Sequence, residues 1–239
     1  MKILSINILS GGCNRREQLL QNIEKINPDV IVLGDFWHTK TTGTGSIPLM
    51  NMLKEKGWPR QYYPEKFVRY AVGIASKIPA IKAHHVFEEY PDNVIAMEIP
   101  SSSDSHTLTV IGAYMPYFPA EDMRPLWERL YQYLTELDSR KHRFILAGDL
   151  NLCRKKEIDN KQYNLDIFEK CCTDFCDIGQ QNPKPTHRKK NAYRLDYLIS
   201  NLEQKLLTGY SVHDSFLENA SDHCGISVKV LSEIQRGEK

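Results

Sequence analysis

Five polar stretches stand out by where they fall. Asn7 lies inside the apolar run Ile3–Leu9, and Asp35 follows Val30–Leu33. Asp149 and Asn151 follow Phe144–Ala147, Asp196 interrupts Arg194–Ser200, and Asp222 with His223 precedes Gly225–Val230. A charged group within or capping an apolar strand is costly unless it is paired or holds a cation. Strand ends are also where a rigid sheet presents functional groups. Taken singly, each stretch has an ordinary reading. Gly148-Asp149-Leu150-Asn151 is turn-forming, Asp222 could cap a helix, and Asn7 could bond to a neighbouring backbone. Asp35 could be surface-exposed, and Asp196 could pair with Arg194 or a lysine. Their joint occurrence is the signal.

The elements that must position these residues alternate along the chain. Ile3–Leu9 reads as a strand, and Arg15–Ile26 as a helix with Leu19, Leu20, Ile23 and Ile26 at helical spacing. Asn27-Pro28-Asp29 stops that helix, and Val30–Leu33 is a short buried strand. This is a β–α–β opening. Thr39–Ile47 is a loop rich in Thr and Gly, and Ile47–Lys56 a short helix closed by Gly57. Further strands are expected over Ala71–Ala75, Val94–Ile99, Thr107–Tyr114, Phe144–Ala147, Arg194–Ser200, Gly209–His213 and Gly225–Val230, with a polar turn at Ser101–His106. Asp122–Arg140 is the longest helical pattern, with Leu126, Leu130, Tyr133, Leu134 and Leu137 on one face, and Asp166–Cys172 is another helix. Strands outnumber helices and several follow one another directly. A mixed-sheet sandwich with helices on its outer faces suits that order better than a doubly wound parallel sheet. A single domain over residues 1–230 is expected, with 231–239 as a polar tail that frays.

The chain has 239 residues, 41% hydrophobic and 26% charged, enough to bury a core without disulfide or metal staples. A formal net charge of +1 excludes a global basic field, so contact with a polyanion must come from local patches. Two such patches flank the polar stretches: Arg154-Lys155-Lys156 after Asn151, and His187-Arg188-Lys189-Lys190 before Arg194. They read either as backbone-phosphate contacts or as a solvated surface. The aromatics Phe36, Trp37, Tyr117, Phe118 and Tyr193 beside these stretches read either as stacking groups for bases or a sugar, or as loop packing. Cys171, Cys172 and Cys176, with His187 beyond, fit no common zinc spacing, and reduced thiols are expected. No apolar run approaches bilayer length, and the N-terminus reads as a first strand rather than a signal peptide. A cytoplasmic location with no membrane partner is expected.

The motifs together resemble the endonuclease/exonuclease/phosphatase superfamily, which includes exonuclease III, abasic-site endonucleases, DNase I-type nucleases and inositol polyphosphate phosphatases. Ser5-Ile6-Asn7-Ile8 is similar to the family's opening strand, and Asn27–Asp35 to the segment that normally ends in a metal-binding Glu. Gly73–Pro79 and Gly112-Ala113-Tyr114-Met115-Pro116 resemble middle strands, the second carrying a site Tyr or His in many members. Gly148-Asp149-Leu150-Asn151, Arg194-Leu195-Asp196-Tyr197 and Ser221-Asp222-His223-Cys224 resemble the three C-terminal motifs, the last two most like the abasic-site branch. The motifs occur in family order from residue 3 to about residue 230.

The resemblance implies a DNase I-like α/β (α+β) fold, a four-layer sandwich of two mixed β-sheets flanked by helices. It also implies a phosphoesterase dependent on Mg²⁺, with Mn²⁺ able to substitute. Asp35 would be the principal metal ligand, with Asn7 and Asp222 nearby. Asp149 would orient and deprotonate water, and Asn151, pointing the same way from an extended segment, would bind a phosphate oxygen. Asp196 would hold His223, whose imidazolium would stabilise developing charge, and Tyr114 would contact phosphate. Arg154, Lys155, Arg188, Lys189 and Tyr193 would meet the substrate. One departure stands out: Asp35 lies in Leu-Gly-Asp-Phe where Leu-Gln-Glu is usual. One methylene less shortens the reach by roughly 1.5 Å, so the cation could be held through water, be Mn²⁺ by preference, or be held weakly.

Three functions compete. A metal-dependent nuclease, acting on DNA ahead of RNA as a monomer, is supported by the last two motifs and the basic patches. A phosphatase or phosphodiesterase on a small-molecule or lipid phosphoester is favoured by the near-neutral charge. For a non-catalytic binding module, Asp35 is the supporting feature.

Overall fold

The opening β–α–β unit forms as β1 (Lys2–Asn7), α1 (Arg16–Ile26) and β2 (Val30–His38), with β1 and β2 parallel. Asn27 ends the helix in a left-handed cap at φ 52, its N–H returning to the Ile23 carbonyl. The chain then continues through α2 (Ile47–Glu55), β3 (Arg60–Tyr62), β4 (Val68–Ser76), β5 (Lys82–His85), β6 (Val94–Pro100) and β7 (Thr107–Tyr114). It is completed by α3 (Arg124–Ser139), β8 (Arg143–Asp149), α4 (Leu165–Asp174), β9 (Cys176–Asp177), β10 (Asp196–Ser200), β11 (Leu207–His213), α5 (Ser215–Asn219) and β12 (Gly225–Val230). The structure, a computed structural model, describes residues 1–39, 44–100, 107–116, 123–153, 164–181, 183–187 and 192–231. The expected turn at Ser101–His106 and most of the polar tail lie outside them.

Two six-stranded sheets result, ordered β11-β12-β1-β2-β4-β3 and β5-β6-β7-β8-β10-β9. Both mix parallel and antiparallel pairs: β1 and β2 are parallel but β1 and β12 antiparallel, and β7 and β8 are parallel but β8 and β10 antiparallel. Helices α1, α2 and α5 cover the first sheet through Leu19, Ile23, Leu49, Leu53 and Phe216. Helices α3 and α4 cover the second through Leu126, Trp127, Leu130, Leu134 and Phe168. Between the sheets lies a third apolar cluster that includes Ile3, Val30, Val32, Val110, Ile145, Ala147, Leu198 and Val228. This is the expected four-layer sandwich. No helix among the described residues is long and apolar enough to cross a membrane.

Strand alternation explains how the site is positioned. Side chains two apart share a face. The inward row of β1 starts with Ile3 and ends at Asn7, and that of β8 passes Ile145 and Ala147 to end at Asp149. The inward row of β7 ends at Tyr114, and that of β10 begins at Asp196 before Leu198. Register brings three of these ends together, with Tyr114 and Asp196 both opposite Asp149. These rows send apolar residues between the sheets, and their polar ends, Asn7, Tyr114, Asp149 and Asp196, meet at one opening of the sandwich.

Several boundaries differ from expectation, two of them beside the site, and three short strands were not expected. The strand expected from Arg194 begins at Asp196. Arg194 stands before it, its guanidinium on the Asp177 carboxylate at 2.5 and 2.7 Å in a buried pair, so Arg194 is not the partner of Asp196. β2 runs five residues past the expected end at Leu33, to His38. The strands β3, β5 and β9 have no apolar alternation to announce them, and all three lie at sheet edges, where short polar strands resist pairing with another chain.

Candidate active site

Asp149 is the last residue of β8 and is 2% exposed. Its Oδ2 accepts from Asn7 Nδ2 at 2.8 Å, and its Oδ1 from the Asn151 backbone N–H at 2.9 Å. Asn151 does not continue the strand. It takes a left-handed φ of 50, and its Nδ2 donates to the Met115 carbonyl at 2.8 Å and to Asp149 Oδ2 at 3.3 Å. The extended placement expected for Asn151 is therefore replaced by a turn that folds its amide back onto Asp149. Burial pushes the Asp149 carboxyl up, the His223 charge opposes this and Asp196 adds to it, and the result is about 6.

His223 stands between two carboxylates. Its Nδ1 lies 2.7 Å from Asp196 Oδ2 and its Nε2 3.8 Å from Asp149 Oδ2. Asp196 is fully buried, and the backbone N–H groups of Leu195 and Asp196 both donate to Thr186 Oγ1, which fixes the start of β10. Ser221 Oγ donates to the Asn7 carbonyl at 2.6 Å and accepts from the His223 N–H at 3.1 Å, tying the loop before β12 to β1. Burial alone would lower the imidazolium, but Asp196 and Asp149 outweigh it and raise His223 to about 9. Between about 6 and about 9 a charged carboxylate thus faces a charged imidazolium. If both forms are needed, kcat/KM is bell-shaped in pH. Asp196→Asn removes the carboxylate that most favours the imidazolium, so His223 loses its proton at lower pH and the alkaline limb shifts downward. A pH–rate profile checks this; an unmoved limb would mean another group titrates there.

Asp35 sits at a β-bulge. Gly34 pairs with Val72 and Phe36 with Ala71, leaving Asp35 unpaired at φ 53. Bulges of this kind re-aim a side chain beside a site. They also account for the short carboxylate, since Asp tolerates the left-handed region far better than most residues. Its Oδ2 accepts from the Ser10 N–H at 2.5 Å and its Oδ1 from Trp37 Nε1–H at 2.8 Å. Burial raises its pKa, partly offset by these two donors, and Asp222 and His223 are both near enough to act on it. Asp222 is half-buried, its Oδ2 3.7 Å from His187 Nε2.

Tyr114 is 7% exposed, and its hydroxyl is pushed up in pKa by burial and then by Asp149 and Asp35, so it remains a proton-bearing donor. Tyr193 lies one step away: its backbone pairs with His187, which forms a bridge to His223. Arg154, Lys155, Arg188 and Lys189 lie outside the described residues, as do Tyr117 and Phe118. Thr186 was not expected as a site residue, Ser221 was expected only as part of the Ser221–Cys224 motif, and His187 only within the basic run His187–Lys190. The His187 ring lies 4.9 Å from that of His223, edge to face. The sequence signal was confined to Pro185-Thr186-His187 ahead of a basic run, where a loop reading is equally natural.

The donor set fits a divalent cation. Asp35, Asp149, Asp196 and Asp222 gather around the imidazole of His223, with His187 beside it, four carboxylates against two imidazoles and an excess of negative charge that oxygen-liganded cations relieve. Asp196 Oδ1 is buried without a hydrogen-bond partner. Asp149, Asp196 and His223 offer ligand atoms within 4.8 Å of one another. In that trio the imidazole already hydrogen-bonds one carboxylate and faces the other, so the Asp35 and Asp222 side has the greater need of a cation.

A two-sheet sandwich with carboxylates, amides and one raised histidine at its opening defines a phosphoester-hydrolase architecture. The chain belongs to the Endonuclease/Exonuclease/phosphatase family, whose sequence profile matches residues 4–223. Among solved structures it resembles a 3′ phosphatase, NExo, from Neisseria bound to product DNA hairpin, with TM-score 0.77, 18% identity, and coverage of 97% of this chain and 100% of that one. It also resembles the 3′–5′ exonuclease NExo from Neisseria meningitidis (TM-score 0.76, 18% identity, 96% and 99% covered). An AP endonuclease from Archaeoglobus fulgidus gives TM-score 0.75 at 15% identity, with 97% and 100% covered. No curated protein matches by sequence.

Proposed function

We propose that this chain is a Mg²⁺-dependent phosphodiesterase acting on nucleic acid, DNA in the first place. The observation that carries the reading is His223 held between Asp196 and Asp149, with the Asn7 amide on one oxygen of Asp149 and the Asn151 backbone N–H on the other. Asp149 takes the proton of the attacking water, a role served by a carboxyl whose pKa lies near neutrality. The His223 imidazolium and the Tyr114 hydroxyl hold the phosphate oxygens as charge develops on them. Asp196 keeps His223 charged and oriented. Asp35 and Asp222, with Asn7 adjoining, would hold Mg²⁺, which supplies Lewis-acid and charge-clamp chemistry at the phosphate. Arg154, Lys155, Arg188 and Lys189 would track the nucleic-acid backbone, with Tyr193 against a base or sugar. That similar folds carry a DNA 3′ phosphatase, a 3′–5′ exonuclease and an AP endonuclease supports DNA. The net charge of +1 favours the second reading, hydrolysis of a small phosphoester.

One panel separates them: single-stranded, duplex and abasic DNA, RNA and small phosphoesters, each with Mg²⁺, Mn²⁺ or EDTA. Cleavage of DNA in the metal-containing lanes alone is expected. Turnover confined to small phosphoesters would move the assignment to the second reading. Silence throughout, persisting in Asp35→Glu, would leave a binding module.

A further inference from the structure

Lys66-Phe67-Val68-Arg69-Tyr70 leads into and begins β4, and alternates cations with aromatic rings. Among the described residues the large hydrophobics left exposed are Phe67 at 58%, Tyr70 at 51% and Ile81 at 60%, so two of the three fall in this one stretch. Their exposure is built in by the backbone. Past the Asp35 bulge, Phe36 pairs with Ala71 and His38 with Val68, so Arg69 and Tyr70 together face Trp37. Tyr70 takes a left-handed φ of 61, uncommon for an aromatic residue in a strand, which takes it out of the strand's alternation.

The result is a continuous ridge. The Phe67 ring meets His38 at 5.3 Å, the Tyr70 ring meets Trp37 edge-on at 5.8 Å, and the Arg69 guanidinium covers Trp37 at 4.7 Å. The ridge adjoins the site at two points. Trp37 donates to Asp35, and Tyr70 is close enough to Tyr114 to act on its hydroxyl.

We propose that this ridge is a stacking platform for unpaired nucleobases, holding a single-stranded segment beside the phosphate to be cut. This deepens the nucleic-acid reading above and rests on it. Exposed aromatic faces attract bases of any sequence, and interleaved cations meet the phosphates that run between successive bases. Lys66 and Arg69 supply those cations here. A paired duplex keeps its base faces stacked on one another, so the platform discriminates in favour of single strands and frayed ends.

The test measures Kd by fluorescence anisotropy for a labelled single-stranded oligonucleotide and a blunt duplex, in EDTA so that no turnover occurs. The unaltered protein is compared with Phe67→Ala, with Phe67→Ala/Tyr70→Ala, and with Phe67→Trp/Tyr70→Trp, after thermal melts establish that each is folded. Phe67→Ala alters an exposed ring outside the strand and keeps the test decisive if the double variant does not fold. The double alanine variant is expected to weaken single-strand binding by about 5- to 100-fold, to change duplex binding little, and to be rescued by the tryptophans. Equal losses on single strand and duplex overturn the platform. If the unaltered protein cleaves DNA but the alanine variants bind single strands as tightly as it does, the platform alone falls, and a protein-binding ridge replaces it. If the unaltered protein neither binds nor, with Mg²⁺, cleaves any oligonucleotide, the underlying nucleic-acid reading falls as well.

Discussion

Asp149→Asn is expected to lower kcat on a DNA substrate by about 10³-fold, within the roughly 10²–10⁴ range of general-base contributions. The substitution keeps shape but cannot take a proton. It also turns one of the convergent donor contacts from Asn7 Nδ2 and the Asn151 N–H into a clash of donors. His223→Ala removes the charge that faces both carboxylates, with a loss on the order of 10²–10³. The two residues act through one arrangement, with Nε2 and Oδ2 only 3.8 Å apart. The double variant should therefore be far less impaired than the product of the single losses, as is usual for groups that act as a unit. Steady-state rates with saturating Mg²⁺ measure all three. Near-full activity in either single variant would sink the mechanism.

Gly148→Ala should be among the most damaging single-methyl additions to this protein. A Cβ at Gly148 would lie 1.8 Å from the Ala113 carbonyl oxygen, inside the parallel β7–β8 pair, and the residue has φ 158. Neither strand can yield, because Ala113 pairs with Gly148 in the same register that sets Tyr114 opposite Asp149. A loss of about 4 kcal/mol or more is expected, in the range reserved for severe steric or packing damage. For a chain of this size that is a fall in melting temperature of roughly 8–16 °C. Gly57→Ala is the control: φ is also positive, at 105, but nothing lies within 4 Å of the added methyl. Thermal melts followed by circular dichroism compare them. A Gly148→Ala protein melting within about 3 °C of the parent would mean the strands can separate there at little cost.

Gly148 also shows how far the sequence could be read. Beside Asp149 it looked like half of a turn, because Gly and Asp form turns and a strand interior disfavours glycine. The crowding that requires glycine comes from β7, a separate strand that no local pattern reports. Asp196 was legible for the opposite reason: apolar neighbours on both sides demand a partner for its charge, and His223 is that partner. Thr107–Tyr114 matched its strand because it is rich in β-branched and aromatic residues, and Gly225–Val230 because Ile226, Val228 and Val230 alternate with Ser227 and Lys229. Asp35 was placed after its strand because a bulge has no composition of its own. Asn151 does reach Asp149, but from a left-handed turn rather than the extended segment expected, because a turn of this kind does not follow strand alternation. His187 owes its place to a backbone bridge with a residue far along the chain, and only folding makes that adjacency.

The Asn7–Asp149 hydrogen bond crosses from one sheet to the other. Asn7, Asp35 and the loop bearing His223 belong to the first sheet, while Tyr114, Asp149 and Asp196 belong to the second. Neither sheet alone carries the set of groups proposed for hydrolysis. On the proposed mechanism, hydrolysis therefore requires the two sheets to be docked, and a copy whose sheets have parted should be inactive.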